Sequence, residues 1–594
     1  MRINRTLQRL RRALGGARLP VWYHPDYRLP LGSLEGTLGL EPRRADHVLW
    51  YLLDVGAIDQ RDVHSPGRVR YAHLARVHTA AWLEALGRPE GLAAAFGVHA
   101  SEVNVDEAMN MVRLATGGTV EATQHALAHG GATLNLQGGF HHAFPDKGGG
   151  LCAVNDIAVA LAVARAEGFA GQAVVIDLDA HPPDGTAACL ATDPRAWLGS
   201  ISGSDWGPLE GVTERLLVGA DDATYLSALA ELLAEMPRPD LAFVVAGGDV
   251  LAGDRLGRLG LSVAGARRRD RLVAEALAGL PAVWLPGGGY TAAAWRVLAG
   301  TGLALASGSD APVPEDLDPL EARFQALSRA IRPVDITGDL TLTEDDLGFG
   351  LGARAAPHRY LGLYSAEGVE FALYHYGIIE QVARLGYVDL RVILDRAEPG
   401  ERFRLVGKSR DPSDQAEHLL AESVLEVQRA TLPLIPGLAG SGPDGEGVPL
   451  LYVHWLTLRN PRAHFGHGRP RLPGQDVPGL GLAPEATELI GRIAERLGLA
   501  GVALRPAWYH VAYAGRHRFR FADPARQGRF EALIRDLRGV SLLEATAAVA
   551  EGRVSLHGTP YTWEADLMVA WRQPVQIDEA AVAQARDGSR FTLG

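Results

Sequence analysis

Residues 174–186 bring together the side chains best suited to chemistry: three apolar residues lead into Asp177, Asp179, His181 and Asp184. Side chains alternate along an extended chain, so the first two aspartates and the histidine share one face if the strand continues that far. Buried carboxylates are costly unless they are paired or bind a cation. Carboxylate oxygen and imidazole nitrogen are zinc ligands, so a metal site is indicated. Solvated acids at a strand end, with Asp184 capping a helix, are the alternative.

Three other stretches place polar groups directly after apolar runs. His141 and His142 lie in a glycine-bounded loop and could offer two imidazoles to one reacting centre, or be a chance pair on a surface loop. Asp249 and Asp254 follow another apolar run; either acid could complete the metal site or cap a helix. Tyr290 follows three glycines, and a hydroxyl in that place could donate a hydrogen bond to a developing oxyanion.

The elements between residues 131 and 290 should hold these groups at one edge. Short apolar runs alternate there with helical patterns, which predicts parallel β/α units. The predicted strands are 132–137, 173–178, 197–201, 241–246 and 282–285, and the predicted helices include 151–167, 225–235 and 266–278. Ligands of open α/β sheets lie beyond the carboxyl ends of the strands, where each polar cluster falls. The fold class predicted for this half is α/β, an open and mostly parallel sheet flanked by helices.

A second domain is predicted beyond a linker. Residues 307–316 combine Gly, Ser, Pro and acids without apolar periodicity. We therefore expect a first domain over residues 1–308, a linker over 309–320 and a separate α+β domain over 321–594. In the last of these, strands are predicted at 388–394, 450–457 and 507–513, and helices at 414–429 and 485–497. The arginine-rich residues 1–18 are interpreted as a short surface helix.

The composition excludes several classes of protein. The chain has 594 residues and two cysteines, Cys152 and Cys189, which suits a reducing cytoplasm and excludes a disulfide framework. A net charge of −12 argues against broad electrostatic binding to nucleic acid or anionic lipid. No uninterrupted apolar run is long enough for a membrane span. The expected partner is therefore a substrate rather than nucleic acid or membrane; the oligomeric state cannot be inferred.

The four polar stretches, in this order, resemble the histone deacetylase family of the arginase/deacetylase superfamily. The resemblance runs from Trp22 to Ser307 and includes the opening His24–Tyr27 and the Gly-Gly pair within 115–119. It implies the arginase/deacetylase fold and a zinc-dependent amidohydrolase. Such an enzyme hydrolyses the amide of acetylated or longer-acyl lysine, or of a related acylated amine, and releases a carboxylic acid such as acetate. The resemblance does not reach the C-terminal half.

The resemblance also implies a role for each matching residue. It assigns one zinc ion to Asp179, His181 and Asp254. It assigns proton transfer to the two adjacent histidines, with Asp177 orienting His141 and Asp184 orienting His142, and it makes Tyr290 the oxyanion donor. A structural potassium ion near Asp177 and Ser200 is a further implication of the family.

Three positions depart from the family pattern. Pro182 and Pro183 stand where many members have His-Gly, which removes backbone donors, so we expect altered support for His142. Leu151 replaces a phenylalanine of the acyl tunnel, which makes acyl groups longer than acetyl plausible substrates. Leu261 stands where polyamine-selective members carry an acid, which disfavours acetylpolyamine.

Alternative functions remain open at this point. The manganese ureohydrolase branch needs a further aspartate where this chain has Pro183. A non-catalytic acyl-lysine binding module on the same fold would not need the full set of proton-transfer groups. In the C-terminal half, residues 478–482 resemble the coenzyme A turn of acetyltransferase-like folds, but an ordinary structural turn is the favoured interpretation.

Overall fold

The structure is a computed structural model that describes residues 18–29, 38–309, 312–337, 359–414, 416–432, 435, 438–442, 445–466 and 471–594. The chain forms two compact units, Met1–Pro319 and Leu320–Gly594. The helix predicted over residues 1–18 lies outside the described residues except at Arg18. No helix in the described ranges is long and apolar enough to cross a membrane.

An eight-stranded sheet forms the centre of the first unit. Its strands are β1 (Val21–Trp22), β2 (Val63–His64), β3 (Ala132–Asn135), β4 (Ala173–Asp177), β5 (Ala196–Ser202), β6 (Val212–Leu216), β7 (Leu241–Val245) and β8 (Ala282–Leu285). The strand order is β2-β1-β3-β8-β7-β4-β5-β6, and every neighbouring pair is parallel. The predicted open parallel sheet is confirmed.

Helices flank this sheet, and several of them begin at polar caps. The α-helices are Arg44–Asp54, Tyr71–Leu74, Ala80–Ala85, Pro89–Phe96, Val105–His129, Asp156–Ala166, Asp184–Leu190, Asp222–Glu235, Val263–Ala276 and Ala294–Ser307, with 3₁₀ turns at Gln60–Asp62 and Ala100–Glu102. Asn155, Asp221 and Ser262 each accept a hydrogen bond from a backbone N–H in the first turn of the following helix. These caps satisfy donors that a helix start otherwise leaves unpaired.

Strand β4 lies in the middle of the core. All of its residues are buried, as are those of β7 and β8, because a parallel sheet is covered on both faces. Its neighbours are β7 on one side and β5 on the other, so the carboxyl ends of β4, β7 and β8 lie at one edge of the sheet. Loops that leave those ends converge there.

The second unit has a mixed seven-stranded sheet and a small three-stranded one. The large sheet contains β9 (Tyr387–Arg396), β10 (Glu401–Ser409), β11 (Glu417–Ala430), β12 (Val448–Leu458), β13 (Gly501–Leu504), β14 (Arg520–Phe521) and β17 (Met568–Trp571), and the small sheet contains β15 (Val554–Leu556), β16 (Thr559–Pro560) and β18 (Phe591–Leu593). The order of the large sheet is β14-β17-β13-β12-β11-β10-β9. Its pairs are antiparallel except for β12 with β13.

Helices also accompany the sheets of the second unit. They are Pro319–Ala330, Pro333–Thr337, Ala366–His375, Ile378–Arg384, Ala483–Arg496, Tyr509–Gly515, Pro524–Asp536, Leu542–Ala550 and Glu579–Gly588. The first of them starts at the last residue of the first unit. The expected combination of helices with a separate sheet is therefore present in this half of the chain.

Two predicted elements of the second unit are wrong in type. The helix predicted at 414–429 is strand β11, whose helix-forming residues pair with β10 and β12 on both sides. The strand predicted at 507–513 is the helix Tyr509–Gly515. Its buried residues, Tyr509 and Ala512, are three positions apart, which is a helical spacing that the aromatic composition obscured.

Candidate active site

The carboxyl end of β4 carries the chemistry that its sequence suggested. Asp177 is the last residue of the strand, and Asp179 follows it with no exposed surface. The Nδ1 atom of His181 lies 3.1 Å from Asp179 Oδ1 and 3.0 Å from Oδ2 of Asp249, which comes from the loop after β7. Two buried carboxylates therefore converge on a single imidazole nitrogen.

This convergence fits a metal ion. One ligand atom from each of Asp179, His181 and Asp249 lies within 4.8 Å of the others, and among the described residues this is the group with that property. Burial and the Asp179 carboxylate raise the pKa of Asp249 to about 7. Burial lowers the pKa of His181, but the two carboxylates outweigh it and raise that pKa to about 11. A divalent cation would relieve the same crowding of negative charge, and the oxygen and nitrogen donors suit zinc.

Asp254 is not part of this cluster, so its assignment as a metal ligand is corrected to Asp249. The side chain of Asp254 accepts backbone hydrogen bonds instead: Oδ1 accepts from Leu256 and Gly257 at 3.0 Å, and Oδ2 accepts from Tyr290 at 2.7 Å. Both aspartates follow β7, and only the path of the backbone decides which one faces His181. The sequence identified both acids as candidates but could not show which side chain points towards His181.

The two adjacent histidines each have a carboxylate partner. His141 Nδ1 lies 2.9 Å from Asp177 Oδ2, and His142 Nδ1 lies 2.7 Å from Asp184 Oδ1. Their ring centroids are 4.0 Å apart. A carboxylate at Nδ1 fixes the tautomer and leaves Nε2 as the working atom. The two prolines before Asp184 do not prevent its contact with His142, because Asp184 begins a helix directly after Pro183.

The same two histidines differ in charge. Burial lowers the pKa of His141, but Asp177 and Asp179 outweigh it and raise the pKa to about 9. Burial, followed by the charge of His141, lowers the pKa of His142 to about 4. At neutral pH the pair therefore combines a cationic imidazole with a neutral one. A neutral imidazole beside a cationic one can accept a proton while its neighbour stabilises negative charge.

Tyr290 completes the site from the loop after β8. Its side chain is buried, and its ring lies edge-on to His181 with centroids 6.2 Å apart. Burial, then Asp179 and Asp249, raise its pKa well above the usual value, so the hydroxyl stays protonated. The preceding glycines let the loop approach the metal cluster: Gly288 N–H donates to Asp179 Oδ2 at 2.6 Å, and a β-carbon there would crowd Asp249.

Comparisons with known proteins assign a family to the N-terminal half of the chain. Residues 39–302 match the family model described as a histone deacetylase domain. An uncharacterized protein of the cyanobacterium Picosynechococcus is 34% identical over 292 residues, which are 46% of this chain and 92% of that protein. The N-terminal half of this chain belongs to the histone deacetylase family.

Other relatives of this deacetylase domain are more distant. Histone deacetylase 2 of Arabidopsis thaliana is 27% identical over 300 residues, which are 48% of this chain and 77% of that protein. A crystal structure of a histone deacetylase homologue from Aquifex aeolicus is 23% identical, with a TM-score of 0.43, and the match covers 52% of this chain and 88% of that one.

Asp156 supports the histidine loop of the deacetylase domain and was missed in the sequence. Its Oδ1 accepts the N–H of Phe140 at 2.7 Å, and its Oδ2 accepts the N–H of Gly139 at 3.1 Å and the hydroxyl of Thr119 at 2.7 Å. The buried carboxylate thus fixes the backbone just before His141. An acid at the start of an apolar helix was the available signal, but it also fits an ordinary helix start.

Arg44 is a second residue of the deacetylase domain that the sequence did not reveal. Its guanidinium donates to the Gly287 carbonyl oxygen at 2.8 Å, and burial lowers its pKa. It lines a cavity of about 60 Å³ that also includes His141, Leu151 and Tyr290. An arginine in a helix far along the chain from every motif gives no local sign of this position.

Trp206 lies at the outer side of the deacetylase site. Its ring is 52% exposed, and its centroid is 5.1 Å from that of His142 and 5.9 Å from that of His181. Leu151 lines the inner cavity, as its place in the resemblance implied. Leu261, in contrast, is completely buried in the hydrophobic core, so its apolar side chain does not bear on acetylpolyamine as a substrate.

Proposed function

We propose that the first unit is a zinc-dependent deacetylase that hydrolyses the amide of acetylated or longer-acyl lysine, or of a related acylated amine. The observation that carries the proposal is the convergence of three groups at one sheet edge. These groups are a ligand set for one metal ion, a histidine pair backed by carboxylates, and a protonated tyrosine. Family membership supports a hydrolase of the deacetylase type.

Asp179, His181 and Asp249 would hold the metal. Three protein ligands leave a coordination position open, as catalytic zinc sites require. When bound there, zinc supplies Lewis acidity, which polarises an acyl oxygen and lowers the pKa of water towards about 7. Asp254 would not bind the metal; it would fix the loop after β8 that carries Tyr290.

His142 is the proton acceptor in this proposal. The low pKa of His142 keeps its Nε2 unprotonated at neutral pH, and Asp184 contacts its Nδ1. His142 takes a proton from the attacking water and then delivers it to the leaving amine, which departs as a neutral group. Asp177 contacts His141 Nδ1 and favours its cationic form, which would stabilise the negative charge that develops beside it.

Tyr290 donates its hydroxyl proton in a hydrogen bond to the oxygen of the acyl carbonyl as that oxygen gains charge. Its high pKa keeps the donor proton in place through the working pH range. A donor of this kind is worth about 3 kcal/mol of transition-state stabilisation in comparable oxyanion holes. Asp254 Oδ2 accepts the backbone N–H of Tyr290 and so fixes the position of the tyrosine.

A structural potassium ion remains part of the proposal. Asp177 and Ser200 are paired in register across β4 and β5, and both are completely buried. Among the described residues no hydrogen-bond partner meets the Ser200 hydroxyl. A buried hydroxyl oxygen beside a buried carboxylate fits a monovalent cation, which the family resemblance also implies.

The substrate is proposed as an acyl-lysine side chain. Leu151 keeps the inner wall apolar but less bulky than an aromatic ring, which supports acyl groups longer than acetyl. A cytoplasmic location is proposed with it, because Cys152 and Cys189 are both free thiols. A non-catalytic acyl-lysine binding module is the second candidate, and an acetylpolyamine is the second substrate.

The test measures release of carboxylic acid by metal-loaded protein from acetyl-lysine peptide, butyryl-lysine peptide and N-acetylpolyamine, beside His142→Ala. We expect turnover of the peptides that falls about 10²- to 10⁴-fold in the variant, because the proton acceptor is lost. Peptide binding without turnover, unchanged in the variant, would favour the binding module. Turnover of the polyamine alone would replace the proposed substrate.

A further inference from the structure

The second unit contains an apolar cavity. Its volume is about 130 Å³. The floor is formed by the large sheet, to which β11 contributes Ala421, Ser423 and Leu425. Helices Ala366–His375 and Ala483–Arg496 supply further lining side chains. All the lining residues belong to the second unit.

A cavity of this size is unusual in a folded core. Protein interiors are close-packed, and voids larger than a water molecule are few. An engineered apolar cavity of about 150 Å³ stays dry and binds benzene, a six-carbon molecule. The volume here therefore matches a short hydrocarbon chain of about six carbons rather than a cluster of water.

Two tyrosine hydroxyls belong to the cavity wall. Tyr360 and Tyr376 both line the cavity and are buried. Ser423 lies near the first hydroxyl, and Ser328 and Arg496 lie near the second. A hydroxyl is one donor and two acceptors, so each can also form a hydrogen bond with a ligand oxygen.

Arg496 gives the cavity a positive charge. Its Nη2 atom donates to the backbone oxygen of Ser328 at 2.6 Å and to its hydroxyl at 3.1 Å. No carboxylate pairs with this guanidinium in the described part of the chain, and its charge acts on both Tyr364 and Tyr376. Arg492, which also lines the cavity, is already paired with Glu488. Arg496 is therefore the cation that remains available to an anion.

We propose that this cavity binds a small aliphatic carboxylic acid, with its chain on the sheet face and its carboxylate at Tyr376 and Arg496. The apolar walls account for the chain, and the hydroxyls with the guanidinium account for the carboxylate. Guanidinium and hydroxyl donors together suit a carboxylate, because a charged acceptor strengthens each hydrogen bond. The inference is independent of the deacetylase site.

Calorimetric titration of the full chain with hexanoate tests the proposal, with 1-hexanol as the uncharged comparison. We expect saturable hexanoate binding that is at least tenfold tighter than hexanol binding. Tyr376→Phe should weaken it roughly tenfold, as should Arg496→Met, because each removes a bond to a charged group. Tyr509→Phe, a buried tyrosine outside the cavity, is the matched control and should change the affinity less than twofold.

Two further variants separate this site from the other possibilities. Asp249→Ala disables the metal cluster of the first unit, so binding that persists there supports a site in the second unit. Ala421→Leu fills the cavity and should abolish hexanoate binding. The proposal is overturned if hexanoate does not bind the wild type, if binding is lost in Asp249→Ala, or if it survives both Tyr376→Phe and Arg496→Met.

Discussion

Asp249 and Asp254 both lie in the loop after β7, but their side chains contact different groups. The first contacts His181 within a metal-ligand group, and the second accepts three backbone hydrogen bonds that include the N–H of Tyr290. Sequence alone could identify both carboxylates as candidates, since both follow β7. It could not choose between them, because the choice depends on the course of the loop.

This difference predicts opposite behaviour in two alanine variants. Asp249→Ala should lose the bound metal and with it nearly all turnover. Asp254→Ala should keep one metal ion per chain while its turnover number falls about ten- to a hundredfold, because the tyrosine loop is no longer fixed. Metal analysis after gel filtration, together with acetate release, separates the two. If Asp254→Ala protein were metal-free, the corrected ligand assignment would fail.

Other residues of the site show where sequence reasoning ends. His141, His142 and Tyr290 were accessible to it because each stands beside glycines at a strand end. Arg44 was not accessible, because it reaches the Gly287 carbonyl oxygen from a helix far away in the sequence. Contacts between distant segments are a property of the fold and leave no local pattern.

At the scale of elements, the loop before Leu151 holds His142 in place. Gly150 has a left-handed backbone (φ +54°), and a β-carbon there would overlap the His142 ring. Gly149 has open space where its β-carbon would be. The loop therefore needs glycine at the second position and tolerates a side chain at the first.

Gly150→Ala should thus lower the turnover number at least tenfold without loss of metal, since a small displacement of a proton acceptor is costly. Gly149→Ala is the matched control and should stay within about twofold of the wild type. Steady-state acetate release at equal metal content measures both. Equal effects of the two substitutions would show that Gly150 does not position the histidine.

His78 links two loops of the first unit and should make its stability depend on pH. Its Nδ1 lies 3.0 Å from the Phe144 carbonyl oxygen, and its Nε2 accepts the N–H of Asn155 at 3.0 Å. Burial lowers its pKa from 6.5 to about 4. The unfolded chain therefore binds more protons between these values, so stability falls as the pH drops from about 6.5 to 4.

The expected loss from this histidine is about 2 kcal/mol between pH 7 and pH 5. Urea unfolding of wild type and His78→Gln at both pH values isolates it, because glutamine does not titrate and other groups cancel in the difference. The variant should be less stable at pH 7 but should lose about 2 kcal/mol less on acidification. If the free energy of unfolding depended on pH in the same way in both proteins, the lowered pKa of His78 would be contradicted.

Element prediction succeeded where burial dictates the pattern. Strands β4, β7 and β8 are apolar throughout because both of their faces are covered, and their predicted positions agree closely with the structure. Strand β11 was mistaken for a helix because many of its residues favour helices and its burial does not alternate strictly along the strand. Its pairing with β10 and β12 overrides that local preference.

At the scale of the whole molecule, the chain consists of two compact units, and the proposed metal site lies entirely in the first. The order of the eight parallel strands could not be read from the sequence, although the parallel class could. Two buried carboxylates, Asp179 and Asp249, repel each other without a cation, so the stability of that unit should respond to metal. The second unit has no such metal-ligand group among its described residues.

Metal removal should therefore shift part of the thermal unfolding and leave the rest unchanged. Calorimetry of the full chain should show more than one transition, because two units seldom unfold as one. Zinc at a hundredfold excess over its Kd should stabilise one transition by about 2.7 kcal/mol. Asp249→Asn should abolish that response. A zinc response of every transition, retained in the variant, would contradict a single site in the first unit.

The most direct test of the central claim is the rate of acetate release from an acetyl-lysine peptide by wild type and Tyr290→Phe, each loaded with one metal ion per chain. We expect turnover by the wild type and a decrease of about 10²-fold or more in the variant, because only the oxyanion donor is removed. Absence of turnover by metal-loaded wild type on acetyl- and longer-acyl peptides, or an undiminished rate in the variant, would contradict the proposed deacetylase mechanism.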